Sequence, residues 1–237
     1  MVRILCIGTK ILYLKMKVFL APIRWIIITG LVFFAASGDL SNVRVWIYLA
    51  IYTLGGIAIG ILLYKKAPQL LKDREKMQEG TKQLDKYIIL TYFLLALFVT
   101  PLIAGLDRRI HLADTLPFAY LYAGIILYLL SAIFSVWPMI HNPFFETTVR
   151  IQEDRSHQVI RTGPYRIVRH PGYLGMILSS LSMPLVLGSV LATIPMFIMV
   201  VLIVLRTYYE DTTLQRELDG YTDYCRDVRY RLVPYVW

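Results

Sequence analysis

Residues 173–205 read YLGMILSSLSMPLVLGSVLATIPMFIMVVLIVL, thirty-three residues without one charged side chain. As a single helix this run would measure about 50 Å at 1.5 Å per residue, well beyond the ~30 Å hydrocarbon core of a bilayer. Pro184, Gly188, Ser189 and Pro195 lie inside it, and Gly188-Ser189 is a turn signal. The stretch therefore predicts a helical hairpin. A short helix covers about Tyr173–Leu187, and a second returns over about Val190–Tyr209. A hairpin brings the chain on either side of it to the same membrane surface. A single crossing would separate the two.

Upstream, four more runs have the length and apolarity of membrane helices: Val18–Ser37, Val45–Tyr64, Tyr87–Leu106 and Leu116–Trp137. Basic residues precede the first, and Ala35-Ala36-Ser37 imitates a leader cleavage site. The run is long for a leader and further spans follow, so it reads as a retained membrane helix. Arg24 is tolerable there if its side chain snorkels toward the surface. Gly56-x-x-x-Gly60 has the spacing of close helix packing, and packing is all it implies. The expectation is an all-α polytopic bundle of about six transmembrane helices with a cytoplasmic helical tail. It divides into an N-terminal membrane region, 1–137, and a C-terminal region, 138–237. Composition agrees: 57% apolar and 17% charged, against about 45–50% and 25% in soluble domains. Mean hydropathy is +0.57.

The net charge of +9 does not point to nucleic acid, because the charges lie between apolar runs. They suit anionic headgroups and topology control. With the N-terminus cytoplasmic, 21 of the 25 basic residues fall in cytoplasmic segments and three, Arg44, Arg108 and Arg109, on the other side. That bias supports six crossings and places both termini in the cytoplasm, which makes the cell's inner membrane the expected location. Cys6 and Cys225 have neither metal nor redox spacing and read as free thiols.

This orientation gathers the chemically capable residues on one face. Gly163-Pro164 and Pro171-Gly172 are turns, and the second opens a membrane helix. The free N–H groups of a helix start favour an anion, and Arg166, Arg169 and His170 stand beside it. Glu210-Asp211 is expected to end the returning helix at the same depth. Tyr165, Tyr173, Tyr208 and Tyr209 offer faces for cations or bases. Such a site can hold a zwitterion. Beyond it, Leu214, Leu218, Tyr221, Tyr224 and Val228 form an amphipathic stripe that Asp219-Gly220 interrupts.

The string Gly163-Pro164-Tyr165 … Val168-Arg169-His170-Pro171-x-Tyr173-x-Gly175 resembles the signature of the isoprenylcysteine carboxyl methyltransferase family and of the related phospholipid methyltransferases. The acidic pair before Leu214, Gly220-Tyr221 with Tyr224, and Arg231-Leu232-Val233-Pro234 extend the likeness over about Arg161–Pro234. Asp85-Lys86, Leu106-Asp107-x-Arg109 and Asn142-Pro143-Phe144-Phe145 are similar to bacterial members more loosely. The resemblance implies an S-adenosylmethionine pocket lined by Tyr165, His170, Pro171, Tyr173, Leu174 and Gly175, with Glu210 and Asp211 on the opposite wall. The family's second acid is usually Glu, one methylene longer than Asp211.

The implied chemistry is in-line methyl transfer, in which the protein aligns the reactants and excludes water. It needs no metal. A carboxylate acceptor needs no base. An amine acceptor must lose a proton to Glu210, Asp211 or a tyrosine, with Glu210 counted among the catalytic candidates. Arg169 or Arg206 is expected to orient an anionic, lipid-like acceptor. Two rivals remain open. Sterol reductases carry a similar Arg-His-Pro-x-Tyr segment and use NADPH, and a non-enzymatic membrane protein would need no site.

Overall fold

The computed structural model describes residue 20 and residues 22–74, 80–111 and 115–237. Cys6, the basic residues ahead of Val18, the first residues of the expected first helix and Lys76 lie outside them. The described chain is helical, and no strand occurs among its residues. Helix α1 is Pro22–Ser37, α2 is Val43–Lys66 and α3 is the short Pro68–Asp73. Helices α4 (Gln83–Leu94) and α5 (Thr100–Ile110) run on through one π-helical segment, Leu95–Val99. Then come α6 (Ala119–His141), α7 (Pro171–Leu187), α8 (Thr193–Glu217) and α9 (Tyr221–Asp227). Among the described residues, four units have the length and apolarity to cross a membrane: α2, Gln83–Ile110, α6 and α8. Helices α1 and α7 are apolar but shorter.

The π segment has a cause in the sequence. Pro101 has no N–H to offer the carbonyl of Leu97, so the ladder is disturbed one turn earlier. The Thr29 hydroxyl of α1 approaches that carbonyl at 3.5 Å.

The hairpin stands where the sequence places it. Helix α7 ends at Leu187, and Gly188 has φ +79°, a left-handed conformation that glycine adopts without cost to a side chain. Arg44 fastens this turn. Its guanidinium donates to the carbonyls of Leu185 (3.2 Å) and Leu116 (2.7 Å), putting positive charge at the C-terminus of α7. Ser189 donates to buried Asp107 at 2.5 Å and accepts from Ala192 N at the start of α8. Replacing Arg44 with Leu strands those carbonyls and is expected to cost about 1–3 kcal/mol. Thermal unfolding in detergent measures it.

Packing against α6 fixes α7. A Cβ on Gly175 would collide with Ser135 Oγ and with the α6 backbone, and one on Gly124 would meet the α7 backbone at Val186. These glycines let the two helices approach closely. Gly56 serves the same end, since a Cβ there would stand 2.9 Å from Pro22.

One boundary differs from expectation. Helix α8 continues to Glu217, so Glu210-Asp211 does not terminate it. The pair lies about two turns before its end. The helix goes on because the buried stripe continues through Leu214 to Leu218, Tyr221 and Tyr224, which form a second cluster with Tyr165. The chain then turns at Gly220 (φ +76°) into α9.

Candidate active site

A cavity of about 430 Å³ opens at the basic end of the bundle and reaches down between α2, α4, α6 and α7. Its polar end lies under the segments 142–160 and 163–170. The Arg-His-Pro turn forms one wall. A 3-10 turn, Gly163–Arg166, precedes it, with Gly163 (φ +59°) against the His141 ring. Arg169 N and His170 N then donate to the Tyr230 and Arg231 carbonyls at 3.0 and 2.8 Å. Helix α7 begins at Pro171, whose missing N–H is no loss at that position.

Asp211 ties this turn to α8. It is fully buried and accepts from Arg169 Nε (2.8 Å) and Nη2 (3.0 Å), Arg231 Nε (2.8 Å), Gln215 Nε2 (2.8 Å) and Tyr221 Oη (3.0 Å). The His170 ring nitrogen Nε2 stands 3.1 Å away. Arg169 also donates through Nη1 to the carbonyls of Val228 and Arg229. Burial alone would pull its pKa down, but Asp211 more than offsets that, and the guanidinium stands above the usual arginine range.

Glu210, the next residue, faces the cavity. The Tyr173 hydroxyl donates to its carboxylate. The Tyr173 ring stacks on His170 at 5.7 Å between centroids, and the Arg206 guanidinium lies 5.0 Å from that ring's centre. Arg206 in turn donates to Asp85 (2.7 and 3.3 Å) and to the Thr147 carbonyl (2.6 Å). Asp85 also accepts from Val149 N at 2.7 Å. The covering segment is thus clamped to α4 and α8. Arg150 holds it internally through Glu146 and Asp154, and Arg155 bonds Asp73 at 3.1 Å.

Two uncharged groups complete the polar end. Tyr165 accepts a hydrogen bond from Asn142 Nδ2 at 3.1 Å, and burial pushes its phenol pKa up, out of reach of ordinary pH. His157 packs against Phe144, with ring centroids 4.6 Å apart and the planes tilted by 39°. Burial, then Arg150 and Arg155, pull its pKa from 6.5 down to about 4. Its Nδ1 accepts from Gln152 N at 3.4 Å, so the neutral ring carries its proton on Nε2. The folded pKa is depressed, so as pH falls from about 6.5 to about 4 the unfolded chain binds a proton that the folded chain refuses. Thermal stability is expected to drop over that window in the native protein, and the drop to shrink in His157→Phe.

Of the residues singled out from sequence, Tyr165, Arg169, His170, Tyr173, Gly175, Arg206 and Glu210 line the cavity. Arg166, Pro171, Leu174, Tyr208, Tyr209 and Asp211 do not. Pro171 starts the helix and Asp211 holds the wall from behind. Sequence reasoning missed Arg74, Asn142 and His157, all cavity-lining. Asn142 falls in the Asn-Pro-Phe-Phe string and had a signal. Arg74 was counted only among topology charges, and His157 had no signal.

The fold and cavity define an α-helical membrane protein with a partly enclosed, charge-lined site at one end. Residues 124–216 match the family model for the isoprenylcysteine carboxyl methyltransferase (ICMT) family, so the resemblance read from the Arg-His-Pro string and the acidic pair stands. The matched segment runs from α6 through α8 and contains the turn, the hairpin and Glu210. Comparison with curated proteins gives no match.

Proposed function

We propose that the protein transfers a methyl group from S-adenosylmethionine to an amphiphilic acceptor within the membrane. One observation carries the reading. The segment matching a methyltransferase family folds so that the Arg-His-Pro turn and Glu210, forty residues apart in sequence, share one cavity. The match favours this over a reductase.

The residues present fit the cofactor. The cavity lies in the 300–1,000 Å³ range of small-molecule sites. Its wall offers a carboxylate, Glu210, for a cation and the stacked His170–Tyr173 pair for a flat ring. Bound there, S-adenosylmethionine supplies an activated methyl on a cationic sulfur. The protein's part is to hold that centre in line with the acceptor and keep water out. A carboxylate acceptor needs no base. An amine acceptor must lose a proton, and Glu210 is the available carboxylate. Arg169, fully engaged with Asp211 and the tail, positions the wall. Arg206, itself bonded to Asp85 and the Thr147 carbonyl, lies along the cavity over the Tyr173 ring and is the candidate to orient an acceptor.

The deep arm of the cavity runs past Tyr52, Gly56 and Ile59 of α2 and Tyr128 and Ala132 of α6. It suits the apolar tail of a lipid-like acceptor. We further propose six crossings, counting α1 and α7, with both termini and the site on the cytoplasmic side of the inner membrane, a reading that the 21-to-3 basic bias supports. The division at residue 137 is topological. The site draws Asp85 from one region and Arg206 from the other.

The test is incubation of purified protein with methyl-labelled S-adenosylmethionine and a total lipid extract, followed by chromatography. Label should appear in an organic-soluble product. Label confined to water-soluble acceptors would remove the amphiphilic acceptor, and no label together with tight NADPH binding would return the reductase.

A further inference from the structure

The deep arm of the cavity has a mostly apolar wall, yet α2, α4, α6 and α7 all bring hydroxyl groups to it. These fall into two sets. The first is satisfied within the protein. Tyr52 bonds Ser182 Oγ at 3.0 Å, Tyr92 bonds Ser180 Oγ at 3.1 Å, and Ser131 donates to the Tyr128 carbonyl at 2.7 Å. Elsewhere in the apolar helices hydroxyls turn back on their own backbone, as Thr29 does to Trp25 and Thr207 to Ile203. The second set is Tyr128, Ser135 and Ser179. All three line the cavity, and among the described residues their hydroxyls have no hydrogen-bond partner. They are open to the cavity, unlike the Thr100 hydroxyl, which also lacks a partner but is sealed in the packing.

Tyr128 decides the argument, because a phenol is too long to turn back on its own helix. The residue is 7% exposed. Its ring lies 4.2 Å from that of Tyr52, which lies 4.3 Å from that of Tyr48, so the ring is held in place. Its oxygen stands over Gly55 of α2, where a Cβ would overlap it. Glycine makes room there for a hydroxyl that nothing in the protein bonds. The three groups also form a line. Ser135 packs on Gly175, Ser179 is about one turn deeper along α7, and Tyr128 is about two turns deeper along α6. The line is about 10 Å long at 1.5 Å per residue. A plain hydrocarbon chain in the arm displaces water from these hydroxyls and offers nothing in return, which costs affinity at each one. A chain with an oxygen at that depth keeps the bonds.

We propose that the deep arm takes an oxygenated chain, an amphiphile whose tail carries a carbonyl or hydroxyl oxygen to which Tyr128 donates, with Ser179 and Ser135 as further partners along the tail. This rests on the methyltransferase reading for calling that amphiphile the acceptor, but the subsite stands on the hydroxyls alone. The bonds of Tyr52 and Tyr92 to α7 hold the neighbouring wall, so the Tyr128 hydroxyl is left for the ligand. Selectivity of this kind is strong, because a site built to bond an oxygen rejects the analogue that lacks it.

The probes are hexadecanoate and three derivatives with a ketone near the head, at mid-chain and near the tail end. They are titrated calorimetrically into purified protein in maltoside micelles, each affinity being corrected for partition into the micelle. The shared headgroup cancels from the comparison. The native protein should bind one ketone about tenfold more tightly than the plain chain, the worth of a hydrogen bond to a group otherwise left unpaired. In Tyr128→Phe that advantage should fall to about unity. The variant loses no bond within the protein and keeps the ring against Tyr52. If it does not fold, the double variant Ser135→Ala, Ser179→Ala decides, where the advantage should fall about threefold or more and an unchanged advantage would sink the idea. A plain chain that binds the native protein as tightly as every ketone, or an advantage that survives in Tyr128→Phe, overturns the proposal. So does a parallel loss of S-adenosylmethionine affinity in that variant, which would put the cofactor in the arm. Native protein that prefers a ketone but binds no S-adenosylmethionine removes the methyltransferase reading and leaves the subsite intact. Methyl transfer to plain-chain lipids as fast as to oxygenated ones does the reverse.

Discussion

Asp211→Asn is expected to destabilise the protein by roughly 3–5 kcal/mol, the usual cost of removing one partner from a buried ion pair. The substitution preserves shape and volume. What it removes is the one negative charge to which Arg169 and Arg231 both bond. The Asp211 side chain is fully buried and that of Arg169 is 5% exposed, so water cannot replace the lost charge. The new amide also presents N–H groups toward guanidinium N–H groups, where only acceptors fit. Because Arg169 joins the turn before α7 to the carbonyls of Val228 and Arg229, the damage should spread to the tail. Lower melting temperature in detergent and greater protease sensitivity beyond Glu217 are the readouts. Asp211→Glu keeps the charge but forces a methylene into a filled space, and about 1–3 kcal/mol is expected. A melting temperature for Asp211→Asn within a degree or two of native would show that this carboxylate is not the keystone of the wall.

The hairpin was legible because bilayer thickness is a hard length limit. A 33-residue apolar run cannot cross once, and Gly188 is where it bends. The shared location of the Arg-His-Pro turn and Glu210 followed from that bend. The partners of those residues were not legible. Nothing in the sequence says that Arg169 will bond Asp211 rather than a substrate, because both are ordinary outcomes for an arginine near a helix start. The pairing of Arg206 with Asp85 joins residues 121 positions apart, and no local pattern encodes it. The continuation of α8 past the acidic pair was concealed by the switch from an apolar run to a charged one. Membrane helices often end at such a switch, but here the buried stripe through Leu214 carries the helix on. Arg74 shows the limit of counting charge. Topology needs its sign and the fold puts it in the cavity wall, yet the sequence displays only the sign.

Glu210→Gln separates function from architecture, because Glu210 and Asp211 are adjacent on one helix and face different surroundings. The Glu210 side chain is 23% exposed. The amide oxygen of Gln can still accept from the Tyr173 hydroxyl, so the wall should keep its shape and stability should change by less than about 1 kcal/mol. The charge alone disappears. If that charge faces the cofactor's cation, S-adenosylmethionine affinity should fall about tenfold and kcat/KM by about 10²–10³, the usual worth of one preorganised electrostatic group in a water-poor site. Glu210→Asp should recover part of both, since it restores the charge one methylene further back. Tyr173→Phe keeps the ring over which Arg206 lies and removes only the hydroxyl, so it should weaken binding less than Glu210→Gln. Turnover of Glu210→Gln within threefold of native would take the carboxylate out of the reaction and leave it a cavity-lining residue. A large loss in Glu210→Gln with unchanged melting, beside a large loss of melting in Asp211→Asn, would assign one acid of the pair to the chemistry and the other to the fold.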